Sequence, residues 1–199
     1  MRAPELGRVK TRLAASIGGR AALRVYKRLA EHTLAQARAL AAEGVEVRIH
    51  YAPADAGAAV RAWLGEGSVY LPQAEGDLGM RMGDAFARAF ADGADRVVIV
   101  GSDLPEISAP LLRRAFHLLD GCPAVVGPAR DGGYYLLGMT GMIGGVFEGI
   151  EWSTPGVLAA TLDRLRAAGV QPAMLDTLAD VDTAEDLPPG WAEDGMRDG

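Results

Sequence analysis

The sequence predicts an α/β fold, a three-layer α/β/α sandwich around a mainly parallel mixed sheet. Short apolar runs rich in β-branched residues alternate with amphipathic helical stretches along the 199 residues, and this alternation is typical of such a sandwich. Turn residues recur steadily, and neither a repeat nor a linker interrupts them. One domain is therefore expected over residues 1–187, followed by a disordered tail over 188–199.

Periodicity and turn residues predict the elements of the first half. Apolar residues near a 3.6 period indicate helices, and apolar–polar alternation indicates strands. The expected elements are a short helix that Gly18-Gly19 breaks, a long helix with periodic apolar residues from Leu23 to Leu40 that ends at Gly44, a strand over 45–51, a helix that Asp55 caps and that runs to about Leu64, a strand over 69–71 and a helix over 80–91.

In the second half, Arg96-Val97-Val98-Ile99-Val100 is a continuous β-branched run, which predicts a strand buried on both faces. The other expected elements are a helix capped by Ser108 that runs to Asp120, strands over 124–126 and 134–137, a helix over about 154–168, a strand over 173–175 and a capping box at Thr183-Ala184-Glu185-Asp186. Ligands of open α/β sheets bind beyond the carboxyl ends of the strands. Residues just after strands are therefore the candidates for function.

Composition and charge exclude several classes of protein. The formal net charge is −6, which argues against a nucleic-acid binder that works through bulk charge. No apolar run approaches the ~18 residues that span a bilayer, and residues 1–7 hold no signal-peptide core. The single cysteine, Cys122, cannot form an internal disulfide. We expect a cytoplasmic protein with neither a membrane nor a nucleic-acid partner, and the oligomeric state stays open.

A basic loop near the N-terminus has the composition of an anion pocket. Gly7 allows a ligand to approach the backbone closely, and Arg8, Lys10 and Arg12 place three cations within five positions. The loop enters a helix, so it also aims free backbone N–H groups at a ligand in front of it. Lys10 is one of only two lysines, and lysine and arginine are not interchangeable at a phosphate. The loop predicts a di- or triphosphate site, with a charged helix start as the alternative.

Two aspartates are candidate metal ligands. Asp103 follows the apolar run, where a carboxylate is costly unless it is paired or bound to a metal. Carboxylates suit Mg²⁺ or Mn²⁺ that is shared with phosphate oxygens. Asp182, before the last predicted helix, is the candidate second ligand. The alternatives are a turn-forming role for Asp103 and a helix-entry role for Asp182.

Three further segments are candidates for substrate contacts. The run Asp131-Gly132-Gly133-Tyr134 leaves an acid in open space, which suits an acceptor or a sugar, although paired glycines can be no more than a turn. Trp152 is a candidate substrate wall or, alternatively, a packed lid over the core. In the loop before the helix at 80–91, the expected nucleotide and phosphate contacts are Gln73, Gly76, Asp77 and Arg81.

These motifs occur in an order that resembles a known family. The series is Pro4…Gly7-Arg8-Val9-Lys10-Thr11-Arg12-Leu13, Gly76-Asp77-Leu78-Gly79…Arg81-Met82, Gly101-Ser102-Asp103-Leu104-Pro105, Gly127-Pro128…Asp131-Gly132-Gly133-Tyr134-Tyr135-Leu136, Trp152-Ser153-Thr154 and Asp180-Val181-Asp182-Thr183. It resembles a bacterial glycosyltransferase-like family that is encoded beside radical-SAM proteins and linked to arsenosugar biosynthesis. The resemblance implies a GT-A fold of the nucleotide-diphospho-sugar transferase type, in which the aspartate after the central strand, here Asp103, binds a divalent metal.

The basic loop also resembles that of a second group of enzymes. Val9-Lys10-Thr11-Arg12-Leu13 is similar to the Lys-x-Arg-Leu loop of 2-phospholactate guanylyltransferases and, less closely, to the loop of molybdenum-cofactor nucleotidyltransferases. Those enzymes use it to hold a nucleoside triphosphate. Nucleotidyl transfer is therefore an alternative to glycosyl transfer.

The N-terminus departs from the resembling family. Its members begin with a hydrophobic strand before a Lys/Arg-Ala-Pro segment, whereas this sequence starts at Met1-Arg2-Ala3-Pro4. That strand would be central in the sheet, and without it the neighbouring strands would lack hydrogen-bond partners. We expect the cell to make a longer chain from an earlier start codon. Intact-mass measurement of the native protein tests this, and a mass equal to that of the printed sequence would refute it.

The sequence as a whole predicts a metal-dependent transferase with a nucleotide-activated donor and a small-molecule acceptor. A glycosyltransferase acting on an NDP-sugar is expected first. Arg8, Lys10 and Arg12 would hold the diphosphate, Asp103 with Mg²⁺ or Mn²⁺ would stabilise the leaving charge, and Asp131 would orient or deprotonate the acceptor. The alternatives are a nucleotidyltransferase that releases pyrophosphate and a nucleotide-binding protein without catalytic activity.

Overall fold

The computed structural model of the chain describes residues 1–189 and 191. Residues 190 and 192–199, most of the segment expected to be a disordered tail, lie outside the described residues. The chain forms two compact units, of which the first comprises Met1–Pro72, Ser102–Ala109 and the chain from Ala179, and the second comprises Gln73–Gly101 and Pro110–Leu178. The single domain expected over 1–187 stays a prediction. Within 1–189 and 191, no helix combines the length and the apolar character that a membrane crossing requires.

The first unit holds a two-stranded parallel sheet and three helices. The helices are α1 (Thr11–Ile17), α2 (Gly19–Arg38) and α3 (Gly57–Leu64), the strands are β1 (Arg48–Tyr51) and β2 (Val69–Pro72), and short 3-10 turns span Ala41–Glu43, Ala54–Ala56 and Ala184–Asp186. β1 and β2 pair in parallel, with Ile49 opposite Tyr70. The N-terminal residues lie beside the end of β1, because Arg2 forms an isolated parallel bridge with Ala52.

One apolar face of α2 organises the core of the first unit. Its buried residues recur every three or four positions, as in a helix packed on one side. They are Ala21, Ala22, Val25, Tyr26, Leu29, Ala30, Thr33 and Leu34. One end of this face packs with Leu13 of α1 and with Val181, and the other end packs with β1 and α3. Gly18, with a φ of 84°, separates α1 from α2 as predicted.

The second unit is built on a four-stranded mixed sheet. Its elements are α4 (Leu78–Ala91), β3 (Val97–Val100), α5 (Ala109–Leu118), β4 (Ala124–Pro128), β5 (Tyr134–Met139), α6 (Val157–Ala167) and β6 (Ala173–Met174). The strand order is β3-β5-β4-β6. β5 runs antiparallel to β3 and β4, and β4 runs parallel to β6, so β3, β4 and β6 share one direction and β5 opposes them. The predicted α/β class with a mixed sheet is confirmed.

The prediction that β3 is buried on both faces is wrong. All four of its residues are partly exposed, because β3 lies at the edge of the described sheet. Every residue of β4 is buried, as are five of the six in β5. A continuous apolar run has the same pattern in an edge strand as in a central one. The core of the second unit therefore centres on β4 and β5, with Phe86, Ala124, Val126, Leu137, Met139, Val146 and Leu165.

Asp55 does not cap α3, contrary to the prediction. It lies inside the 3-10 turn Ala54–Ala56, and α3 begins at Gly57 with no side-chain hydrogen bond at its start. A capping residue has extended backbone immediately before the helix, and the turn removes that geometry. Asp77 has it, with φ −74° and ψ 179°, and its Oδ1 accepts a hydrogen bond from the Met80 N–H at 2.8 Å.

The predicted capping box at Thr183 and Asp186 is present. The Oδ2 of Asp186 accepts hydrogen bonds from the Thr183 hydroxyl at 2.8 Å and from the Thr183 N–H at 2.7 Å. These bonds hold the pKa of the Asp186 carboxyl below its usual value. The same oxygen accepts from the Asp182 N–H at 3.1 Å. The capping box therefore also fixes the backbone of Asp182.

Gly138→Ala is expected to destabilise the chain by about 1–3 kcal/mol. A Cβ at Gly138, inside β5, would lie 2.6 Å from Val125 Cγ1 and 3.1 Å from side-chain atoms of Leu119 and Val98. These neighbours would have to shift within a packed sheet. Gly121→Ala is the matched control, because a Cβ at Gly121 meets nothing within 4 Å. Urea unfolding measures both variants, and equal free energies of unfolding would contradict the packing described.

Candidate functional site

Lys10, Asp103 and Asp182 form a charged cluster in the first unit. The Lys10 Nζ donates a hydrogen bond to the Val181 carbonyl oxygen at 2.7 Å and lies 3.3 Å from Asp103 Oδ2 and 3.7 Å from Asp182 Oδ1. The Lys10 side chain is only 6% exposed, and a buried ammonium is costly unless it is paired. The three oxygens just named surround the Lys10 ammonium. The structure thus brings the loop lysine and both candidate metal ligands together, and their roles stay predictions.

Backbone contacts explain why these separate parts of the chain meet. Lys10 has a φ of 46° just before Thr11, the first residue of α1, and a lysine holds this left-handed conformation only where its surroundings offset the strain. Its carbonyl accepts the Ala14 N–H at 2.8 Å and so begins α1. The Val181 N–H donates to the Asp103 carbonyl oxygen at 3.1 Å, and the Val181 side chain is buried against α1 and α2. The two acidic segments are therefore fixed beside the start of α1.

The Asp103 carboxylate has an oxygen without a partner. Oδ2 pairs with Lys10, whereas Oδ1 is buried and accepts no hydrogen bond from any described residue. A buried oxygen of this kind is costly, and in native proteins an unseen water or ion often satisfies it. Asp182 offers a second carboxylate, whose Oδ2 lies 3.1 Å from Arg12 Nη1.

These carboxylates fit a divalent cation that is shared with a ligand. Within residues 1–189 and 191, no three His, Cys, Asp or Glu side chains form a metal-binding group, so the protein would contribute two carboxylates, Asp103 and Asp182. Mg²⁺ is commonly held by only one or two carboxylates, with phosphate and water oxygens completing its shell. The donor set therefore suits Mg²⁺ or Mn²⁺ in the presence of a phosphate ligand.

A cavity of about 220 Å³ opens beside the cluster. Charged, polar and apolar residues line it, namely Met1, Arg2, Arg8, Val9, Lys10, Tyr26, Ser102 and Asp103. It is smaller than the roughly 300–1,000 Å³ of most small-molecule pockets. Its size and charge suit a phosphate or diphosphate group better than a whole nucleotide sugar.

Tyr26 is a cavity residue that the sequence did not single out. Its hydroxyl donates to the Arg2 carbonyl oxygen at 2.6 Å and accepts the Arg2 N–H at 3.0 Å. Burial, reinforced by the negative charge of Asp103, raises the pKa of Tyr26 to about 12. The helical period of α2 identified Tyr26 only as a core residue. That period does not distinguish a buried tyrosine from one whose hydroxyl reaches a cavity.

We expect the Tyr26→Phe variant to lose less stability at alkaline pH than the original protein. The phenol pKa is about 12 in the folded chain and about 10 in an unfolded one, so the unfolded chain releases the proton first. The stabilisation by the neutral phenol is complete below about pH 10 and declines as the pH rises towards about 12. Urea unfolding between about pH 8 and about pH 11.5 should therefore give a shallower decline for the variant. Parallel curves for the two proteins would contradict this role.

The other two cations of the loop are already paired. The Arg8 Nε lies 3.2 Å from Glu5 Oε2, and Arg12 is bound to Asp182 as described. Both arginine side chains are exposed, at 73% and 80%. The partner of Arg12 lies 170 positions away and is invisible in the loop itself, whereas Glu5, the partner of Arg8, lies only three positions before it. Gly7 has a φ of 76°, the left-handed conformation that glycine accepts without strain.

A second cavity of about 430 Å³ adjoins the same loop and shares Arg8 with the first. It lies between the N-terminal segment and the start of α3. Its lining residues are Ala3, Pro4, Glu5, Arg8, Pro53, Asp55, Ala56 and Ala59. Arg8 of the basic loop therefore lies in the walls of both cavities, the small charged one and the larger, less charged one.

The second unit holds the other predicted nucleotide contacts. Gly76, with a φ of 106°, turns the chain into α4. Asp77 caps that helix through its carboxylate, and this capping role explains the residue type without a bound nucleotide. Arg81 is half-buried, and its Nε has no hydrogen-bond partner among the described residues. Gln73, which follows β2 in the sequence, is half-buried. Gly76, Asp77 and Arg81 thus meet at the start of one helix, and their roles in binding stay predictions.

The loop at Asp131 has the contacts of a tight turn. Asp131 Oδ1 accepts the Gly133 N–H at 2.8 Å, which matches the turn alternative. A Cβ at Gly132, where φ is 89°, would lie 2.2 Å from the Pro155 carbonyl oxygen. Burial raises the pKa of Tyr134, so its hydroxyl belongs to the interior of this unit. A role for these residues at an acceptor stays a prediction.

Trp152 packs against α4. A Cβ at Gly79 would lie 2.5 Å from Trp152 Cζ2, so the indole covers the glycine backbone. The indole also contacts Phe147, with ring centroids 6.4 Å apart, and Ser153 has the left-handed φ of 65°. These contacts match the packed alternative, and a substrate-facing role for Trp152 stays a prediction.

Comparison with known proteins identifies a family. The family model described as "Uncharacterized protein conserved in bacteria (DUF2064)" matches residues 33–154. No curated protein sequence matches the chain significantly. The chain is 37% identical to a protein from Desulfovibrio desulfuricans G20 that is described as a candidate nucleotide-diphospho-sugar transferase. That match covers 92% of this chain and 80% of the other, with a TM-score of 0.87.

More distant structures share the fold. The 4-diphosphocytidyl-2C-methyl-D-erythritol synthase of Anaerococcus prevotii DSM 20548 is 14% identical, with 79% of this chain and 84% of that chain covered and a TM-score of 0.59. Rv0371c of Mycobacterium tuberculosis H37Rv, in a complex with manganese, is 18% identical, with 77% and 82% covered and a TM-score of 0.51. These matches confirm the fold class predicted from the sequence.

Proposed function

This chain belongs to the DUF2064 family, and on that premise we propose that it is a cytoplasmic, metal-dependent transferase that uses a nucleotide-activated donor. The proposed reaction transfers a sugar from an NDP-sugar to a small-molecule acceptor. One observation carries the proposal. Lys10, Asp103 and Asp182 meet beside a phosphate-sized cavity, and the Asp103 Oδ1 is buried without a partner among the described residues.

The two carboxylates of the cluster would hold the metal. Asp103 Oδ1 and an oxygen of Asp182 are the proposed ligands for Mg²⁺ or Mn²⁺. Such an ion, when bound, supplies positive charge that stabilises a leaving nucleoside diphosphate. Arg12 already binds Asp182 at 3.1 Å, so it would orient that carboxylate as well as add charge at the mouth of the site.

Lys10 would change partners when the site is filled. Its ammonium now lies between the two carboxylates and would compete with a divalent cation for the same oxygens. Lys10 must therefore leave them before a cation binds, and it is then available to a phosphate. We infer that metal and nucleotide bind cooperatively. The metal would replace the Lys10 ammonium at the two carboxylates, and the phosphate would replace the carboxylates as the partner of Lys10.

The two cavities suit the two ends of a nucleotide donor. The smaller one, with Lys10 and Asp103 in its wall, would take the diphosphate. The larger one, which shares Arg8 with it, would take the nucleoside or the sugar. Gly7 and Thr11 would present backbone to the phosphates. Asp131, in the second unit, stays our candidate for orienting or deprotonating the acceptor.

The comparisons support a donor of this class. The protein from Desulfovibrio desulfuricans, 37% identical, is described as a candidate nucleotide-diphospho-sugar transferase, and Rv0371c was crystallised with manganese. The motif series resembles a family linked to arsenosugar biosynthesis, which makes an arsenic-containing acceptor the first to test. That choice of acceptor rests on the resemblance alone.

Nucleotidyl transfer is the second candidate function. The Lys10–Arg12 loop resembles loops that hold a nucleoside triphosphate, and the fold is shared with a 4-diphosphocytidyl-2C-methyl-D-erythritol synthase. In that reaction a phosphorylated acceptor attacks the α-phosphorus, and the bond to the pyrophosphate breaks. Incubation with each NTP, Mg²⁺ and phosphorylated acceptors separates the two reactions, since pyrophosphate is released only in nucleotidyl transfer.

A panel of ligands tests the proposal as a whole. Nucleotides and NDP-sugars that bind the folded chain raise its melting temperature by mass action. We expect the largest rise with an NDP-sugar and Mn²⁺ together. Binding without turnover of any NDP-sugar or NTP would favour the third hypothesis, a nucleotide-binding protein without catalytic activity. No rise with any ligand, with or without Mn²⁺, would overturn the proposal.

A further inference from the structure

Four basic side chains line or flank the charged cavity, and they differ in how they are paired. Lys10 is bound by two carboxylates and a carbonyl oxygen, Arg8 by Glu5 and Arg12 by Asp182. The guanidinium of Arg2 forms no hydrogen bond or ion pair with any residue in 1–189 or 191, although Arg2 lines the cavity. Arg2 is therefore the cation that an incoming anion can bind without first breaking an ion pair.

Hydrogen bonds on both sides hold the backbone of Arg2 in place. Its N–H and its carbonyl oxygen both bind the Tyr26 hydroxyl, at 3.0 Å and 2.6 Å. On either side, the Ala3 N–H donates to the Ala52 carbonyl at 2.8 Å, and the Ala52 N–H donates to the Met1 carbonyl at 3.0 Å. The guanidinium thus extends from a fixed point on the cavity wall. Such preorganisation lowers the entropy cost of binding.

The wall around Arg2 has the chemistry of a phosphate site. Tyr26 is affected by the charges of both Arg2 and Asp103, with opposite signs, so a cation and an anion act on one hydroxyl at this cavity. A guanidinium binds phosphate through two parallel N–H···O bonds, and these charge-assisted bonds are among the strongest in proteins. An anion alone would be repelled by Asp103. A phosphate that bridges Arg2 and a metal on Asp103 would be attracted by both.

We propose that Arg2, held by Tyr26, is the principal arginine that binds a phosphate of the nucleotide donor. This inference rests on the proposed function and assigns a binding residue to that same site. Arg8 and Arg12 then have secondary roles, because each shares its charge with an acidic partner and its side chain is largely exposed. Arg2 lies in the Arg2-Ala3-Pro4 segment that precedes the loop, a segment in which the sequence predicted no site residue.

Arg2→Gln tests the proposal, with inorganic pyrophosphate and Mn²⁺ as the probe. Isothermal titration should show at least about tenfold weaker binding than in the original protein, and a smaller dependence of binding on salt, because one cation is lost. Arg2→Lys keeps the charge without the planar fork, and an intermediate affinity is expected. Arg20→Gln is the control, since Arg20 is exposed on α2 and does not line the cavity.

The outcomes separate this proposal from the proposed function. Circular dichroism of Arg2→Gln and Arg2→Lys verifies that each is folded. Pyrophosphate binding that is unchanged in Arg2→Gln, or a larger loss in Arg12→Gln than in Arg2→Gln, would overturn the role of Arg2 and leave the proposed function standing. Failure of the original protein to bind pyrophosphate, nucleotides and NDP-sugars, with and without Mn²⁺, would overturn both.

Discussion

Asp103→Asn is expected to weaken Mn²⁺-dependent nucleotide binding by at least about 100-fold. Even groups that only orient a metal ligand cost about 10–100-fold in affinity when they are replaced, and Asp103 is proposed as a direct ligand. Asparagine keeps the shape but loses the charge that would hold the cation beside the buried Oδ1. Titration of Mn²⁺, followed by electron paramagnetic resonance in the presence of a nucleoside diphosphate, measures the change.

The matched control is Asp120→Asn in the second unit. Asp120 is likewise an ion-paired aspartate, bound to Arg96, and its side chain is 54% exposed. Its replacement should leave nucleotide and Mn²⁺ binding within twofold of the original, roughly the scatter of such titrations. Equal affinities in Asp103→Asn and the original protein would exclude Asp103 as a ligand.

Lys10→Met is expected to change stability, metal binding and nucleotide binding in different directions. The variant leaves the Val181 carbonyl and two carboxylates without their ammonium, and we expect a loss of about 1–3 kcal/mol in the free energy of unfolding. Mn²⁺ alone should bind more tightly than in the original protein, because no ammonium competes for the carboxylates. A nucleoside diphosphate with Mn²⁺ should bind at least about tenfold more weakly, because a phosphate ligand is lost.

Lys27→Met is the control for that variant. Lys27, the chain's other lysine, lies 5.8 Å from the ring centroid of Trp63, so its loss should cost only about 0.5–1 kcal/mol and leave ligand binding unchanged. Unfolding in urea and the two Mn²⁺ titrations distinguish the variants. Weaker binding of Mn²⁺ alone to Lys10→Met would contradict the competition between lysine and metal.

Much of the fold could be predicted because its signals are local. The break between α1 and α2 depends on Gly18, and the capping box depends on residues only three positions apart, Thr183 and Asp186. The burial of β3 and the start of α3 could not be predicted in this way. The first depends on the position of the strand in the sheet, and the second depends on a 3-10 turn that places Asp55 inside it.

The candidate site likewise combines residues with local sequence signals and contacts without them. Lys10 and Asp103 could be named as candidate site residues because each lies beside an element boundary. The order of the motifs supported the same prediction. The pairing of Arg12 with Asp182 crosses 170 positions, and the contact of Tyr26 with Arg2 depends on where α2 places a hydroxyl. Such contacts follow from packing between parts of the chain that local patterns do not relate. Arg12, predicted to hold the diphosphate, is paired through such a contact, whereas the pairing of Arg8 with Glu5 is local, three positions apart.

The measurement that tests the central claim most directly is a crystal structure of the protein with Mn²⁺ and a nucleoside diphosphate, with the metal located by anomalous scattering. We expect one Mn²⁺ in contact with the Asp103 and Asp182 carboxylates and a phosphate, with the Lys10 ammonium moved from the carboxylates to the phosphates. A metal bound elsewhere, or a nucleotide bound while Lys10 still pairs with Asp103 and no metal is present, would contradict it.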